Sequence, residues 1–399
     1  MVRSKEPAPP ERTPERLGQT RIARPEGTLI WLHAKRTEDT GVAAALVAAL
    51  GNLRDEPIHC LTTTLEAGAP VAGHEGAIIH QLVPGDTSGS VRRFLAHWSP
   101  DIGVILSAPD RPLLLTEARA RDCPLILAAP RRGETSPTGR MGLLPASLVD
   151  VFDRCFAPSA AEAEALRKHV PADRVVVTGP LTDTAVALPC NQAECDAIAD
   201  QLAGRPVWLA AGTEDADLHA VERAHRRATR AAHRLLLVIS PNDAATGPKI
   251  AAWFENKGWR TATRSAGDEP TEDVQVYVAD TSGEMGLWYR LSPVTYLGGT
   301  FTPGRQPLDP FGPASLGSAV IHGPERGPAP ARFRKLAVAG ASRQLEDPEA
   351  LGEVIYTLLA PDKAAALAHT GWLVTTESAH VVETIAEYID EALLRKQAG

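Results

Sequence analysis

From Leu29 onward, short apolar runs alternate with alanine-rich amphipathic runs, and the alternation occurs twice along the chain. TLIWLHA reads as a strand, and TGVAAALVAALGNL follows it at the helical period of 3.6. PIHCLTTT, DIGVILSA and PLILAAP are further strands, separated by the helical runs SVRRFLAHW and LLLTEARARD. FDRCFAPS, AAEAEALRKHV and RVVVTGP close the series. Strands separated by helices of this length mean βαβ units and a parallel sheet. After a polar stretch, ALPCNQAECD, the pattern restarts with PVWLAAG, LLLVISP, VQVYVAD, VTYLGG and AVIHG, again with helices between. The chain is therefore expected to be an α/β protein of two Rossmann-like domains with a cleft between them. The expected domains are 28–188 and 189–374, preceded by a flexible tail over 1–27. The segment 375–399 is expected to be a helix that packs back toward the first domain.

Length and charge narrow the function. A chain of 399 residues exceeds one ordinary core and suits two or three domains. Its 41 basic and 49 acidic residues leave a net charge of −8, against a nucleic-acid binder, which needs a basic excess or face. Aromatics, at 5%, are too few for numerous stacking platforms. The five cysteines are an odd, scattered set, which fits a reducing compartment. Cys190 and Cys195 have no histidine nearby and read as packing or surface thiols rather than metal ligands. Residues 1–27 are rich in Pro, Arg and Glu and carry neither a sorting signal nor a membrane span. A cytoplasmic protein, free or peripheral at a membrane surface, is expected. Arg92 and Arg93 would be its local basic contacts, unless they are simply a solvated helix face.

In doubly wound domains ligands bind beyond the carboxyl ends of the strands, so the strand-to-helix loops hold the candidates. HAKRTEDTG places Glu38 and Asp39 at a helix start. A carboxylate there suits a general base, although Asp39 or Thr40 could equally cap the helix. DTSGEMG combines a turn at Gly283 with Glu284 opening a helix, where dipole reasons alone favour Glu. GGTFTPGRQPLDP is a Gly/Pro-rich loop whose backbone could approach a phosphate. ISPND could equally be a plain turn at Pro241. None of these loops matches the common ATP or NAD fingerprints.

Taken in order, RPEGTLIWLHA, PDIGVILSAPDRP, FDRCFAPSAAEAEALR, VTGPL, RPVWLAAGT, DTSGEMGLWY and GGTFTPGRQPLDP with ASLGSAVIHGP make the chain similar to a known family. It resembles the 3-deoxy-D-manno-octulosonic acid (Kdo) transferases of bacterial lipopolysaccharide synthesis, from about Glu15 to the C-terminal helix. The family reads close to DTMGELGLLY and GGSxxxxGGHNPLEPAALGxPVxxGP at the last two strings. The resemblance implies a B-type glycosyltransferase fold, with the donor CMP-Kdo in the second domain and no metal or other cofactor. It implies a lipid A precursor as acceptor, reached from the first domain at the cytoplasmic face of the inner membrane. Carried over by position, the CMP contacts are Pro241, Asn242, Ser282, Gly283, Glu284, Gln306, Pro307, Leu308 and Asp309.

The departures from the family are chemical. The glutamate base that ends WIHAVSVGE becomes Asp39, one methylene shorter. The acidic pair of METELWPN becomes Ser107 and Pro109, and the lysine of GNLKFD becomes Thr182. The arginine that meets CMP becomes Asn242, and the Asn and Glu of NPLEP become Gln306 and Asp309. Loss of one preorganised charge costs roughly 10²–10³ in rate. Three functions therefore stand beside one another: an inverting glycosyltransferase with Asp39 as base, a catalytically weak paralogue that binds nucleotide or glycolipid, and a nucleotide-sugar epimerase on the same architecture.

Overall fold

The computed structural model describes residues 12–35, 40–65, 78–106, 111–128, 151–186, 188–327 and 329–398. The chain divides into two compact units, Met1–Thr184 with Glu377–Gly399, and Ala185–Thr376. The sequence pattern alone put the joins a few residues away, after Leu188 and after Val374.

In the first unit, seven parallel strands lie in the order β3-β2-β1-β4-β5-β6-β7. They are β1 (Thr28–His33), β2 (Ile58–Thr64), β3 (Ile78–Leu82), β4 (Ile102–Ile105), β5 (Leu125–Ala128), β6 (Arg154–Ala157) and β7 (Val175–Val177). Among the described residues up to Thr184, the helices are α1 (Thr13–Arg16), α2 (Val42–Gly51), α3 (Ser88–Trp98), α4 (Pro112–Arg119) and α5 (Ala160–Arg167). Every residue of β1 is buried, as a central strand covered on both faces requires. A Cβ at Gly103 would stand 2.6 Å from Leu125 and 3.0 Å from the Trp31 ring, so glycine in β4 gives that indole its place. Helix α3 turns Val91, Phe94, Leu95 and Trp98 to the core at helical spacing. Phe94 meets Trp31 edge-on, with ring centroids 5.9 Å apart.

The expectation of a flexible tail over 1–27 is corrected from Arg12 on; residues 1–11 lie outside the described residues. Glu15 accepts a hydrogen bond from the Leu82 amide, and Arg16 donates to the Val83 carbonyl at 3.1 Å. Arg24 pairs with Asp101 at 3.1 Å and donates to the Trp98 carbonyl at 2.9 Å. Arg93, expected as a lipid contact or a solvated residue, donates to the Leu17 carbonyl at 2.8 Å. The charged side chains that make this stretch look solvated are the ties that fasten it to the unit. Arg12 also donates to Nδ1 of His80 at 3.2 Å. Arginine has no acceptor, so the ring is neutral, with Nε2–H directed at Thr64 Oγ1, 2.8 Å away. Burial, with the Arg12 charge beside it, pushes the His80 pKa down to about 4.

The second unit is also one parallel sheet, in the order β10-β11-β9-β8-β12-β13-β14. Its strands are β8 (Val207–Thr213), β9 (Leu236–Pro241), β10 (Thr261–Thr263), β11 (Val276–Val278), β12 (Val294–Leu297), β13 (Ala319–His322) and β14 (Ser342–Gln344). Its helices are α6 (Gln192–Leu202), α7 (Leu218–Ala228), α8 (Gly247–Glu255), α9 (Met285–Leu291), α10 (Phe311–Ser315), α11 (Pro330–Val338), α12 (Leu351–Leu358) and α13 (Pro361–Thr376). Two buried clusters cover the sheet faces, one around Trp208, Phe254 and Tyr296, the other around Tyr277, Trp288 and Phe311. Helix α14 (Ala379–Ala398) belongs to the first unit, where Asp390 pairs with the half-buried Arg54 at 2.7 Å. Among the described residues, no helix is long and apolar enough to cross a membrane.

Candidate active site

In the second unit, the first strand β8 lies between β9 and β12, the point at which strand order reverses and a crevice opens beyond the strand ends. Asp217 ties the two sides of this crevice together. Its carboxylate accepts from the amides of Glu214 and Gly299, both at 2.9 Å, and from the Tyr296 hydroxyl at 2.8 Å. Gly212, with φ +64°, ends β8 in the left-handed region. A Cβ there would meet Leu308 Cγ at 3.0 Å, so the glycine admits Leu308 from the loop after β12.

Strand β9 ends at the buried Pro241, and the Asn242 amide donates to the Thr213 carbonyl at 3.0 Å. Asp243 then caps the short turn that leads into α8, accepting from Ala245 N at 3.1 Å. After β11, the buried Asp280 accepts from the Ser265 amide at 2.9 Å and from the Ser265 hydroxyl at 2.7 Å. Its Oδ2 would lie only 2.2 Å from a Cβ on Gly247, so the first residue of α8 has to be glycine for Asp280 to sit there. Gly283, at φ +85°, turns the chain into α9.

Pro241, Asn242, Ser282, Gly283 and Leu308 line one cavity of about 200 Å³ at these strand ends, together with Asp280. Glu284, Gln306, Pro307 and Asp309 are not part of its lining. Glu284 is held by Arg264, with contacts of 2.8 and 3.1 Å, and by the Thr281 hydroxyl. Burial alone would raise the Glu284 pKa; the hydrogen bonds from Arg264 and Thr281 outweigh it and leave the carboxyl below its ordinary value. Arg264 also reaches Glu194 on α6, and the two carboxylates raise its own pKa. Asp309 accepts from the Phe311 amide at 3.1 Å and pairs with Arg332, whose guanidinium lies 4.9 Å from the Phe311 ring centre. Gln306 is exposed; Pro307 is buried, 2.4 Å from where a Cβ on Gly327 would stand. Asp217, Arg264 and Arg332 were missed by sequence reasoning: Glu284 and Asp309, which mark the two arginines, and Tyr296 and Gly299, which mark Asp217, all lie 20 or more positions away.

In the first unit, Asp39, Glu38, Ser107 and Pro109 lie outside the described residues. Beside them in the chain, Gly41 opens α2 with Asp183 against it: a Cβ on Gly41 would stand 2.6 Å from the Asp183 carboxyl carbon. Sequence reasoning passed over this carboxylate, which follows the family's lysine position. That position, Thr182, is buried. Its hydroxyl and amide both meet the Ser378 hydroxyl, which in turn donates to the Pro180 carbonyl at 2.9 Å.

Residues 11–183 match the family model described as 3-deoxy-D-manno-octulosonic-acid transferase (kdotransferase). The 3-deoxy-D-manno-octulosonic acid transferase of Bordetella pertussis is 31% identical over 352 residues, 84% of this chain and 80% of the relative. A probable mitochondrial 3-deoxy-D-manno-octulosonic acid transferase of Arabidopsis thaliana is 26% identical over 323 residues, 78% of this chain and 72% of that one. Among solved structures, the C-terminal CMP-Kdo binding domain of WaaA from Acinetobacter baumannii aligns with a TM-score of 0.43 at 21% identity, covering 46% of this chain and 98% of that chain. Two doubly wound parallel units with candidate loops at their strand ends, in a chain with these relatives, define a glycosyltransferase. The chain belongs to the 3-deoxy-D-manno-octulosonic acid transferase family.

Proposed function

We propose that this enzyme moves Kdo, or a related acidic sugar, from its CMP ester to a hydroxyl of a lipid A precursor, with inversion at the sugar carbon. The observation that supports this most is the convergence of Pro241, Asn242, Ser282, Gly283 and Leu308 on one cavity beyond the ends of β8, β9 and β11. CMP occupies this cavity as the leaving group. Its growing charge is offset by backbone N–H groups of the Ser282–Gly283 turn and by the starts of α8 and α9. The ion pairs of Glu284 with Arg264 and of Asp309 with Arg332 set the shape of the two loops that close on the nucleotide. Asp39 removes the proton of the attacking acceptor hydroxyl. The reaction calls for no metal or further cofactor, and the protein works as a peripheral protein at the cytoplasmic face of the inner membrane.

The test is direct. Purified protein is incubated with CMP-Kdo and lipid A precursor, and CMP release is followed together with the mass of the lipid. Release of CMP with a lipid heavier by one or more Kdo residues is expected. Tight CMP binding with no heavier lipid would refute transfer and leave the nucleotide-binding paralogue in its place.

A further inference from the structure

At the amino ends of β5–β7, away from the carboxyl ends where ligands of such sheets gather, the first unit holds a second cavity, of about 450 Å³. Arg154 begins β6, Arg174 immediately precedes β7, and Arg395 and Lys396 come from the last turns of α14; all four line it. The guanidinium groups of Arg154 and Arg395 both stand over the ring of Tyr388, 5.0 and 5.6 Å from its centre. Among the described residues, neither of these arginines nor Arg174 makes an ion pair. Their hydrogen bonds go to main-chain carbonyls: Arg154 to Asp173 at 2.7 Å, Arg174 to Phe152 at 3.4 Å, and Arg395 to Glu391 at 3.2 Å.

The acids nearby do not balance this charge. Asp153 is engaged by Arg119 at 3.0 Å and by the Leu125 amide at 2.9 Å. Lys396 lies 3.9 Å from Asp101, which Arg24 already holds. Asp173 is the remaining carboxylate of the lining. A helix C-terminus by itself draws cations, which accounts for Arg395 and Lys396. It does not account for Arg154 and Arg174, which come from strand ends. In a chain of net charge −8, three guanidinium groups without carboxylate partners around one cavity are not a by-product of general basicity. Their planar donor forks suit the oxygens of a phosphate group, and the volume is within the range of small-ligand sites.

We propose that this cavity binds a phosphate monoester group, carried either by a soluble phosphorylated compound or by the head group of an anionic lipid, with Arg154, Arg174 and Arg395 as its donors. Inorganic phosphate is titrated into the full chain by calorimetry at constant ionic strength, with CMP present to fill the nucleotide cavity. One saturable site is expected. Binding should weaken at least about tenfold in Arg154→Gln/Arg174→Gln and measurably in Arg395→Gln, a change on an exposed helix face that leaves the fold intact. Sedimentation with phosphatidylcholine vesicles, plain or doped with phosphatidate, separates the two sources. Capture by doped vesicles alone, lost in Arg395→Gln, identifies the lipid head group; phosphate binding without vesicle capture identifies a soluble ligand. Wild-type protein that takes up neither phosphate nor doped vesicles overturns the proposal, as does an unchanged phosphate affinity in the folded variants.

Discussion

Replacing Gly247 by alanine adds one methyl group at the start of α8, and the structure states what that methyl meets. Its position lies 2.2 Å from Asp280 Oδ2, 2.4 Å from Asp280 Cβ and 2.6 Å from Asp280 Cγ, all far inside van der Waals contact. The Asp280 side chain has to leave, and its two hydrogen bonds to Ser265 leave with it. Hydrogen bonds to a charged group contribute about 1.5–3 kcal/mol each, so about 3–6 kcal/mol is at stake. Alanine is the better helix former by at most about 1 kcal/mol, so the net loss is about 2–5 kcal/mol. Asp280 and the Thr281–Gly283 turn line the cavity proposed for CMP, so CMP affinity is expected to fall along with stability. Urea unfolding gives the first quantity and calorimetry with CMP the second. The double variant Gly247→Ala/Asp280→Gly is the control. With no side chain left to collide, the two changes must cost less together than their sum. A neutral or stabilising Gly247→Ala, or strict additivity in the cycle, would refute the steric reading.

Asp39→Asn keeps shape and capping capacity, so as the proposed base it should abolish transfer while CMP binding survives; activity comparable to wild type would reduce Asp39 to a cap. Asp39→Glu restores the family's longer carboxylate, and single-turnover kinetics should show a faster chemical step. Glu284→Ala should weaken CMP binding without unfolding the protein, with unchanged affinity by calorimetry counting against the site. Because the folded pKa of Glu284 lies below its ordinary value, its contribution to stability is present above the ordinary carboxylate pKa and disappears as the pH falls through the folded value. Acid titration of the urea midpoint should therefore be shallower in Glu284→Gln. Thr182→Lys returns the family's residue to a buried position bonded to Ser378, so it should destabilise by roughly 2–4 kcal/mol in urea unfolding rather than raise the transfer rate.

The two sheets were legible because buried parallel strands are continuous apolar runs: TLIWLH and VWLAAGT are buried at every position. That Pro241, Asn242, Ser282, Gly283 and Leu308 gather at strand ends was legible for a topological reason, since loops after strand carboxyl ends meet beyond the sheet. What the side chains of those loops touch was not legible. Glu284 and Asp309 read as ligand carboxylates, yet their arginine partners lie 20 and 23 positions away in segments with no motif of their own. Thr182 and Ser378 are 196 positions apart, and nothing local in either segment announces the contact. The stretch from Arg12 to Gly27 was misread for a related reason. Composition reports that Arg and Glu prefer water, but it does not report which backbone groups an edge leaves for them to satisfy.

The first unit is written in two pieces, with the whole of the second inserted between Thr184 and Glu377. A ribosome therefore releases 185–376 as an uninterrupted, closable segment, while the unit begun first lacks α14 until the whole of the second unit has been made. Until then Arg54 has no Asp390 and the Thr182 segment has no Ser378. Truncation is correspondingly asymmetric. A fragment spanning 185–376 keeps every strand of its sheet, whereas one ending at Thr184 is an unfinished domain with an uncovered flank. The order of completion along the polypeptide is thus the reverse of the order in which the two folds start.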